Sequence, residues 1–91
     1  MGVGHDPDAA VKWMRKAAEQ GHAVAQHGFG FMFMEGDGVD KDMKEAIKWF
    51  TLAAEQGLAG SQTTLAMIYE EGNGVEKDPE LAKEWYAKAG F

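Results

Sequence analysis

The sequence contains no cysteine, and this absence removes several kinds of chemistry at once. Disulfide bonds, thiolate catalysis and cysteine-ligated zinc all require the missing side chain. Many secreted proteins also lack cysteine, so the absence assigns no compartment, and the localisation stays open.

Long apolar runs and an excess of positive charge are missing too. No stretch approaches the roughly 18 apolar residues of a membrane span, and no signal-peptide pattern follows Met1. The formal net charge of −6 repels phosphate backbones, which disfavours nucleic acid and favours a cationic or neutral partner. Hydrophobic residues make up 45% of the chain, too many for a disordered polypeptide.

A period of 36 residues organises what is present. Trp13, Trp49 and Trp85 follow this spacing, and the segment AAEQG at 17–21 recurs at 53–57. Repeats with such a period indicate an array of stacked helical units.

The period also predicts the domain organisation. We expect a single domain over residues 1–91 with about two and a half repeats, which belongs to a longer repeat array. Its units are a half-repeat, a full repeat and a nearly full repeat, at residues 2–21, 22–57 and 58–91.

Each unit carries start and stop signals for helices. Gly21 and Gly57 occupy the position that ends a helix, and Glu45 has capping-box spacing from an aspartate at position 42. Alanine and aromatic residues recur at helical spacing after each aspartate, so the sequence predicts five helices. We call the helix before a GDG or GNG loop A-type and the helix after it B-type. The predicted capping pairs are Asp6-Pro7, Asp42-Met43 and Asp78-Pro79.

One composite motif spans an A-type helix, its loop and the next B-type helix, and it occurs twice. The first copy comprises Ala23, Gln26, Phe29, Gly30, Phe33, Gly36, Gly38, Val39, Asp42, Ala46, Trp49 and the AAEQG at 53–57. The second comprises Ala59, Gln62, Leu65, Ala66, Tyr69, Gly72, Gly74, Val75, Asp78, Ala82 and Trp85. This motif resembles the Sel-1-like repeats, relatives of the tetratricopeptide repeats, and it covers almost the whole chain. The departures are His27, Gly28 and the terminal Gly90-Phe91.

The resemblance implies both an architecture and a class of function. The architecture is an all-α, right-handed solenoid of antiparallel helix pairs, whose A-type helices line the concave face. The function is that of a scaffold or adaptor that binds other proteins. Since the family pattern contains no catalytic residue, we expect neither enzyme activity nor a cofactor.

The segment GFGFMFM at 28–34 alternates like a half-buried strand, but the repeat places it in an A-type helix. On a helical wheel Gln26, Phe29 and Phe33 share the core side with His22, and Gly30 lies at its edge. The buried amides of Gln26 and its counterpart Gln62 then need hydrogen-bond partners, which the backbone of a turn can supply.

The opposite arc of the A-type helices is the predicted concave face. It combines apolar anchors with an acidic rim at Glu35, Glu70 and Glu71, and it also includes Gly28. We hypothesise that it binds a peptide or helix with apolar anchors and some positive charge. The predicted partner-binding residues are Val24, His27, Phe31, Met34, Thr63, Thr64, Met67 and Glu70.

Other candidate sites have simpler interpretations. The GDG and GNG loops follow helices, unlike phosphate loops, and fit helix C-caps. The aspartates at 37–42 lack calcium-loop spacing, and the three histidines do not pair on one helical face. A Ser61–His27 triad is conceivable because A-type helices lie side by side, but an early helical serine more often caps. The tryptophans fit the inter-helix core, and the charged residues between them fit a solvated outer face.

A second hypothesis belongs to a different class. The B-type helices at both ends, including parts around Trp13 and Trp85, have no neighbour that covers them, and polar caps are not evident. Such faces favour self-association of a structural segment into a homo-oligomer with no ligand of its own.

Overall fold

The computed structural model describes residues 7–91, which form five helices and no strand. The prediction of an all-α fold with five helices is therefore confirmed, and the strand-like alternation at 28–34 lies within a helix. The helices are α1 (Pro7–Glu19), α2 (Ala23–Glu35), α3 (Met43–Glu55), α4 (Ala59–Glu71) and α5 (Pro79–Lys88).

Each helix packs chiefly on the next helix along the chain. Short turns join α1 to α2 and α3 to α4, and longer loops join α2 to α3 and α4 to α5. The result is an elongated molecule with extents of 49 × 22 × 20 Å, as expected of a solenoid in which contacts stay between neighbours. α2 and α4 are the A-type helices, and α1, α3 and α5 are the B-type helices.

Aspartate side chains begin two of the B-type helices as predicted. Asp42 Oδ1 accepts hydrogen bonds from the backbone N–H groups of Lys44 (3.1 Å) and Glu45 (3.2 Å). Asp78 Oδ1 accepts from the N–H of Leu81 at 3.1 Å. The reciprocal half of the capping box is not formed, because the Asp42 N–H donates instead to the Phe33 carbonyl at 2.9 Å. The predicted cap at Asp6 lies outside the described residues.

The glycine loops end the A-type helices, which confirms their interpretation as C-caps and turns. Gly36 has φ 72° and its N–H donates to the Met32 carbonyl, so α2 stops in the left-handed conformation that glycine adopts readily. Gly74 has φ 77°, and a Cβ atom there would lie only 2.5 Å from Met43 Cβ. The loop therefore needs glycine for its conformation and for its close packing on the start of α3.

The core lies between the helix layers and contains two of the three tryptophans. Trp49 and Trp85 are 7% and 8% exposed, whereas Trp13 is 76% exposed. The prediction of a core position is thus wrong for Trp13, and the expected open face around Trp85 is wrong as well. The reason is the neighbouring helix: Phe29 of α2 lies against Trp49, with ring centroids 5.2 Å apart, and no described helix takes that place over Trp13.

The two buried glutamines find backbone partners, as the sequence predicts. Gln26 Nε2 donates to the Ala18 carbonyl (3.2 Å), and Gln62 Nε2 donates to the Ala54 carbonyl (3.1 Å). Each bond ties an A-type helix to the end of the B-type helix that precedes it. Gln56 adds a link, because its Nε2 donates to Gln26 Oε1 (2.9 Å) and to the Gly21 carbonyl (2.8 Å).

Glycines on α2 mark two close helix contacts. A Cβ atom at Gly30 would lie 3.0 Å from the Phe50 ring and 3.1 Å from the Ala46 carbonyl of α3. A Cβ atom at Gly28 would instead meet the end of the Met14 side chain on α1. Gly28 therefore faces α1, and its predicted place on the concave arc is wrong. The reason is that α2 has three neighbouring helices, α1, α3 and α4, and not two.

Candidate functional site

Three of the apolar anchors predicted for the concave face are exposed on α2 and α4. Phe31 is 37% exposed, Met67 is 46% exposed and Val24 is also exposed. Phe31 and Met67 occupy equivalent positions of consecutive repeats, so they lie on adjacent A-type helices. Folded monomers seldom leave large apolar side chains clustered in water without a role in binding.

Other predicted residues of this face are only half exposed. The hydroxyl groups of Thr63 and Thr64 donate to the carbonyls of Ala59 (3.0 Å) and Gly60 (2.8 Å) on their own helix, so these donors are already used. Met34 packs against the core beneath α2. They are therefore less available to a partner than Val24, Phe31 and Met67.

Phe31 rests on a rigid aromatic base. Its ring stands edge-on to His27, with centroids 4.9 Å apart, and to the fully buried Phe50, with centroids 5.3 Å apart. Such edge-to-face pairs favour one orientation of the ring. One side of Phe31 is thereby fixed, and the other side remains open for contact.

His27 and Ser61 join α2 to α4 at this face. His27 Nδ1 lies 2.6 Å from Ser61 Oγ, and partial burial lowers the pKa of the His27 imidazole. Ser61 is fully buried and does not cap α4, since Leu58 holds the N-cap position. The expectation of a capping serine is therefore wrong. Within residues 7–91 neither side chain has a hydrogen-bonded carboxylate, so the pair lacks the third member of a triad.

The rim of the face is acidic. Glu35, Glu70 and Glu71 are exposed, and Glu70 Oε1 accepts a hydrogen bond from the Tyr86 hydroxyl at 3.0 Å. Burial, this hydrogen bond and the charges of Glu70 and Glu71 raise the pKa of the Tyr86 phenol. The sequence analysis does not predict that Tyr86 bonds the acidic rim. The repeat offers a signal for it, because Tyr86 occupies the position equivalent to Phe50 and so packs against α4.

A surface depression lies elsewhere, on α1. It measures about 590 Å³ and is lined by Lys12, Trp13, Lys16, Ala17, Gln20 and His22. The described part of the chain holds no cluster of three or more histidine and acidic side chains that could bind a metal. Nor does any described helix have the length and apolar character needed to cross a membrane.

The geometry defines a class of protein: a helical-repeat solenoid in which each helix packs on its neighbours along the chain. The Sel1 repeat profile matches residues 1–22, 23–58 and 59–90, and the chain therefore belongs to the Sel1 repeat family. Proteins of this family are generally non-catalytic scaffolds that mediate protein interactions. The right-handed α-α solenoid expected from the sequence is confirmed.

Two solved structures are similar to this chain over most of its length. One is a Sel1 repeat protein from Oxalobacter formigenes, with a TM-score of 0.87 and 43% identity over 92% of this chain and 34% of that one. The other is a protective antigen present in uropathogenic Escherichia coli strains, which displays an SLR fold. It has a TM-score of 0.85 and 48% identity over 90% of this chain and 18% of that one. The chain thus spans about a third and about a fifth of these proteins. No curated protein matches it.

Proposed function

We propose that the concave face of α2 and α4 is an adaptor surface that binds a peptide or helix of a partner protein. The exposure of Phe31 on a rigid aromatic base carries this proposal. Met67 and Val24 extend the apolar surface along the groove, and hot spots of recognition are commonly large side chains fixed in this manner.

The rim defines the chemistry of the partner. Glu35, Glu70 and Glu71 place negative charge beside the apolar anchors, and the chain as a whole has a net charge of −6. A segment with apolar side chains next to lysine or arginine is therefore the best complement.

Selection from a random peptide library tests this proposal without a known partner. The unmodified protein should enrich sequences that combine apolar and basic residues. Phe31→Ser combined with Met67→Ser should remove at least about 1.4 kcal/mol of binding free energy, a tenfold loss of affinity. The affinity of each selected peptide can be measured by fluorescence anisotropy.

Leu52→Ser is the matched control, because Leu52 on α3 is 37% exposed, the same fraction as Phe31. It removes an equally exposed apolar side chain outside the concave face, so the selected peptides should bind it normally. If the double variant keeps its helical circular dichroism and binds them as tightly as the unmodified protein, the proposed groove is wrong.

Self-association is the second candidate, and the exposed Trp13 favours it at the α1 end. At the other end Trp85 is buried, so α5 gives it less support. Light scattering over a concentration series separates the two functions, since a strictly monomeric protein at high concentration contradicts self-association.

A further inference from the structure

His27 departs from the repeat pattern, and its ring bridges two A-type helices. The ring belongs to α2, and its Nδ1 lies 2.6 Å from Ser61 Oγ on α4. Ser61 is fully buried, and within residues 7–91 His27 is the only hydrogen-bond partner of its side chain. A buried hydroxyl hydrogen without an acceptor is costly. The Ser61 hydroxyl therefore donates to Nδ1, which fixes the proton of the neutral ring on Nε2.

The surroundings of His27 keep its ring neutral near pH 7. Phe31 of the same helix and Phe50 of α3 contact the ring, and Ser61 and Gly60 of α4 lie at its other edges. None of these groups is charged. Burial alone lowers the pKa of His27, and no charged group of the described helices opposes the shift.

The second nitrogen of the ring, Nε2, reaches solvent at the concave face. A Cβ atom at the exposed Gly60 would lie 3.9 Å from Nε2, so this nitrogen lies beside the open surface of α4. Within the described chain Nε2 has no hydrogen-bond partner, and the only buried side-chain nitrogen or oxygen without a partner is Nε1 of Trp49. Nε2 of His27 is therefore accessible to water and to a bound segment.

The other side-chain donors of the concave face are already used. The hydroxyl groups of Thr63 and Thr64 donate to carbonyls of their own helix, and the Tyr86 hydroxyl at the rim donates to Glu70. Among the predicted face residues, the Nε2–H of His27 is the one side-chain donor left for a partner. Thr63 stands at the equivalent position of α4, so this donor is a property of α2 and not of the repeat.

We propose that the Nε2–H of His27 donates a hydrogen bond to a main-chain carbonyl of the segment that docks on the concave face. This inference rests on the proposed function, because it needs a segment bound over Phe31, whose ring centroid lies 4.9 Å from that of His27. The acceptor is a neutral carbonyl and not a carboxylate, since the acidic rim repels negative charge. Carbonyls within the body of a helix already accept hydrogen bonds, so the docked segment is extended or presents the last turn of a helix.

Nitrogen NMR of the free protein tests the first step, because the two ring nitrogens have different chemical shifts with and without a proton. We expect the proton of His27 on Nε2 near neutral pH, and a mixture of both tautomers in Ser61→Ala. His27→Gln identifies the signals of this ring among those of the three histidines. A proton on Nδ1 of the unmodified protein overturns the assigned donor.

Two variants of His27 test the contact itself. The probe is the tightest-binding peptide that the unmodified protein selects from a random library. His27→Leu removes the donor and should weaken binding by about three- to tenfold, the usual worth of one hydrogen bond. His27→Gln should retain most of the affinity, because the glutamine amide places an N–H near the position of the ring Nε2–H. Circular dichroism verifies that both variants keep their helices.

Changes in the peptide identify the acceptor. In a series of analogues, one peptide bond at a time is replaced by an alkene, which keeps the geometry but has no carbonyl. One analogue should bind the unmodified protein more weakly by the same factor, yet bind His27→Leu no more weakly than the original peptide does, because the two changes remove the same contact. The matching ester, which keeps a carbonyl and lacks only the N–H, is the control and should lose less.

Failure of this inference differs from failure of the proposed function. Peptides that require Phe31 and Met67 but bind His27→Leu normally, or bind His27→Leu and His27→Gln equally weakly, overturn the role of His27 alone. Loss of affinity on amidation of the peptide C-terminus, with no effect of any alkene, overturns the choice of a carbonyl as acceptor. An empty selection, or peptides that bind Phe31→Ser combined with Met67→Ser as tightly as the unmodified protein, overturns both proposals.

Discussion

At the scale of single residues, His27 links the A-type helices through a titratable group. Its ring contacts Phe31 and Phe50, and its Nδ1 lies 2.6 Å from Ser61 Oγ. Partial burial lowers the pKa of His27 below its ordinary value of 6.5, so the folded protein takes up this proton less readily than the unfolded chain. The contribution of His27 to stability is therefore complete above pH 6.5 and is lost as the pH falls through 6.5 toward the lowered pKa.

The first prediction follows from the lowered pKa of His27. Chemical unfolding monitored by circular dichroism should show that the unmodified protein loses more stability between pH 7.5 and pH 5.5 than His27→Gln does. Both proteins share every other titratable group, so the difference isolates His27. Equal losses in the two proteins would show that the imidazole does not resist protonation in the folded state.

The same scale shows what the sequence can and cannot predict about the site. The exposure of Phe31 and the burial of Phe29 follow from their angles on one helix, and the sequence predicts both. The sequence suggests that His27 and Ser61 can meet, because A-type helices lie side by side. Their 2.6 Å contact, however, depends on the exact placement of α2 relative to α4, which a helical wheel does not show. Trp13 is a similar case, because its burial depends on a neighbouring helix and not on its own position in the repeat.

At the scale of helices, α2 approaches α3 closely at Gly30. Its missing Cβ leaves room for the Phe50 ring and the Ala46 carbonyl, both about 3 Å from where that atom would stand. Small residues at such crossings are readily predicted from the repeat, since Ala66 holds the equivalent place on α4. The exact separation of the helices, which requires glycine in α2, is visible only in the structure.

The second prediction compares two substitutions on the same helix. Gly30→Ala should lower the free energy of unfolding by about 1–3 kcal/mol, because Phe50 is fully buried and the Ala46 carbonyl belongs to the backbone. Gly28→Ala should be neutral or should stabilise by up to about 1 kcal/mol, since alanine favours the helix and the Met14 side-chain end can move away. Denaturant unfolding measures both. Equal stabilisation by the two alanines would mean that the α2–α3 contact is looser than described.

At the scale of the whole molecule, stability is a sum over neighbouring helices. α3 packs on both α2 and α4, whereas α1 packs chiefly on α2 and keeps Trp13 in solvent. In solenoids such an end opens locally at a lower cost than the centre. α5 also packs chiefly on one helix, but the buried Trp85 anchors it more firmly than Trp13 anchors α1.

The third prediction is a gradient of amide hydrogen exchange along the solenoid. Backbone amides of α3 should exchange most slowly and those of α1 most rapidly among the five helices, with α5 between them. Hydrogen exchange resolved by NMR measures this order. Uniform exchange rates in all five helices would instead show that the solenoid opens only as one cooperative unit. In that case α1 would be locally as stable as α3.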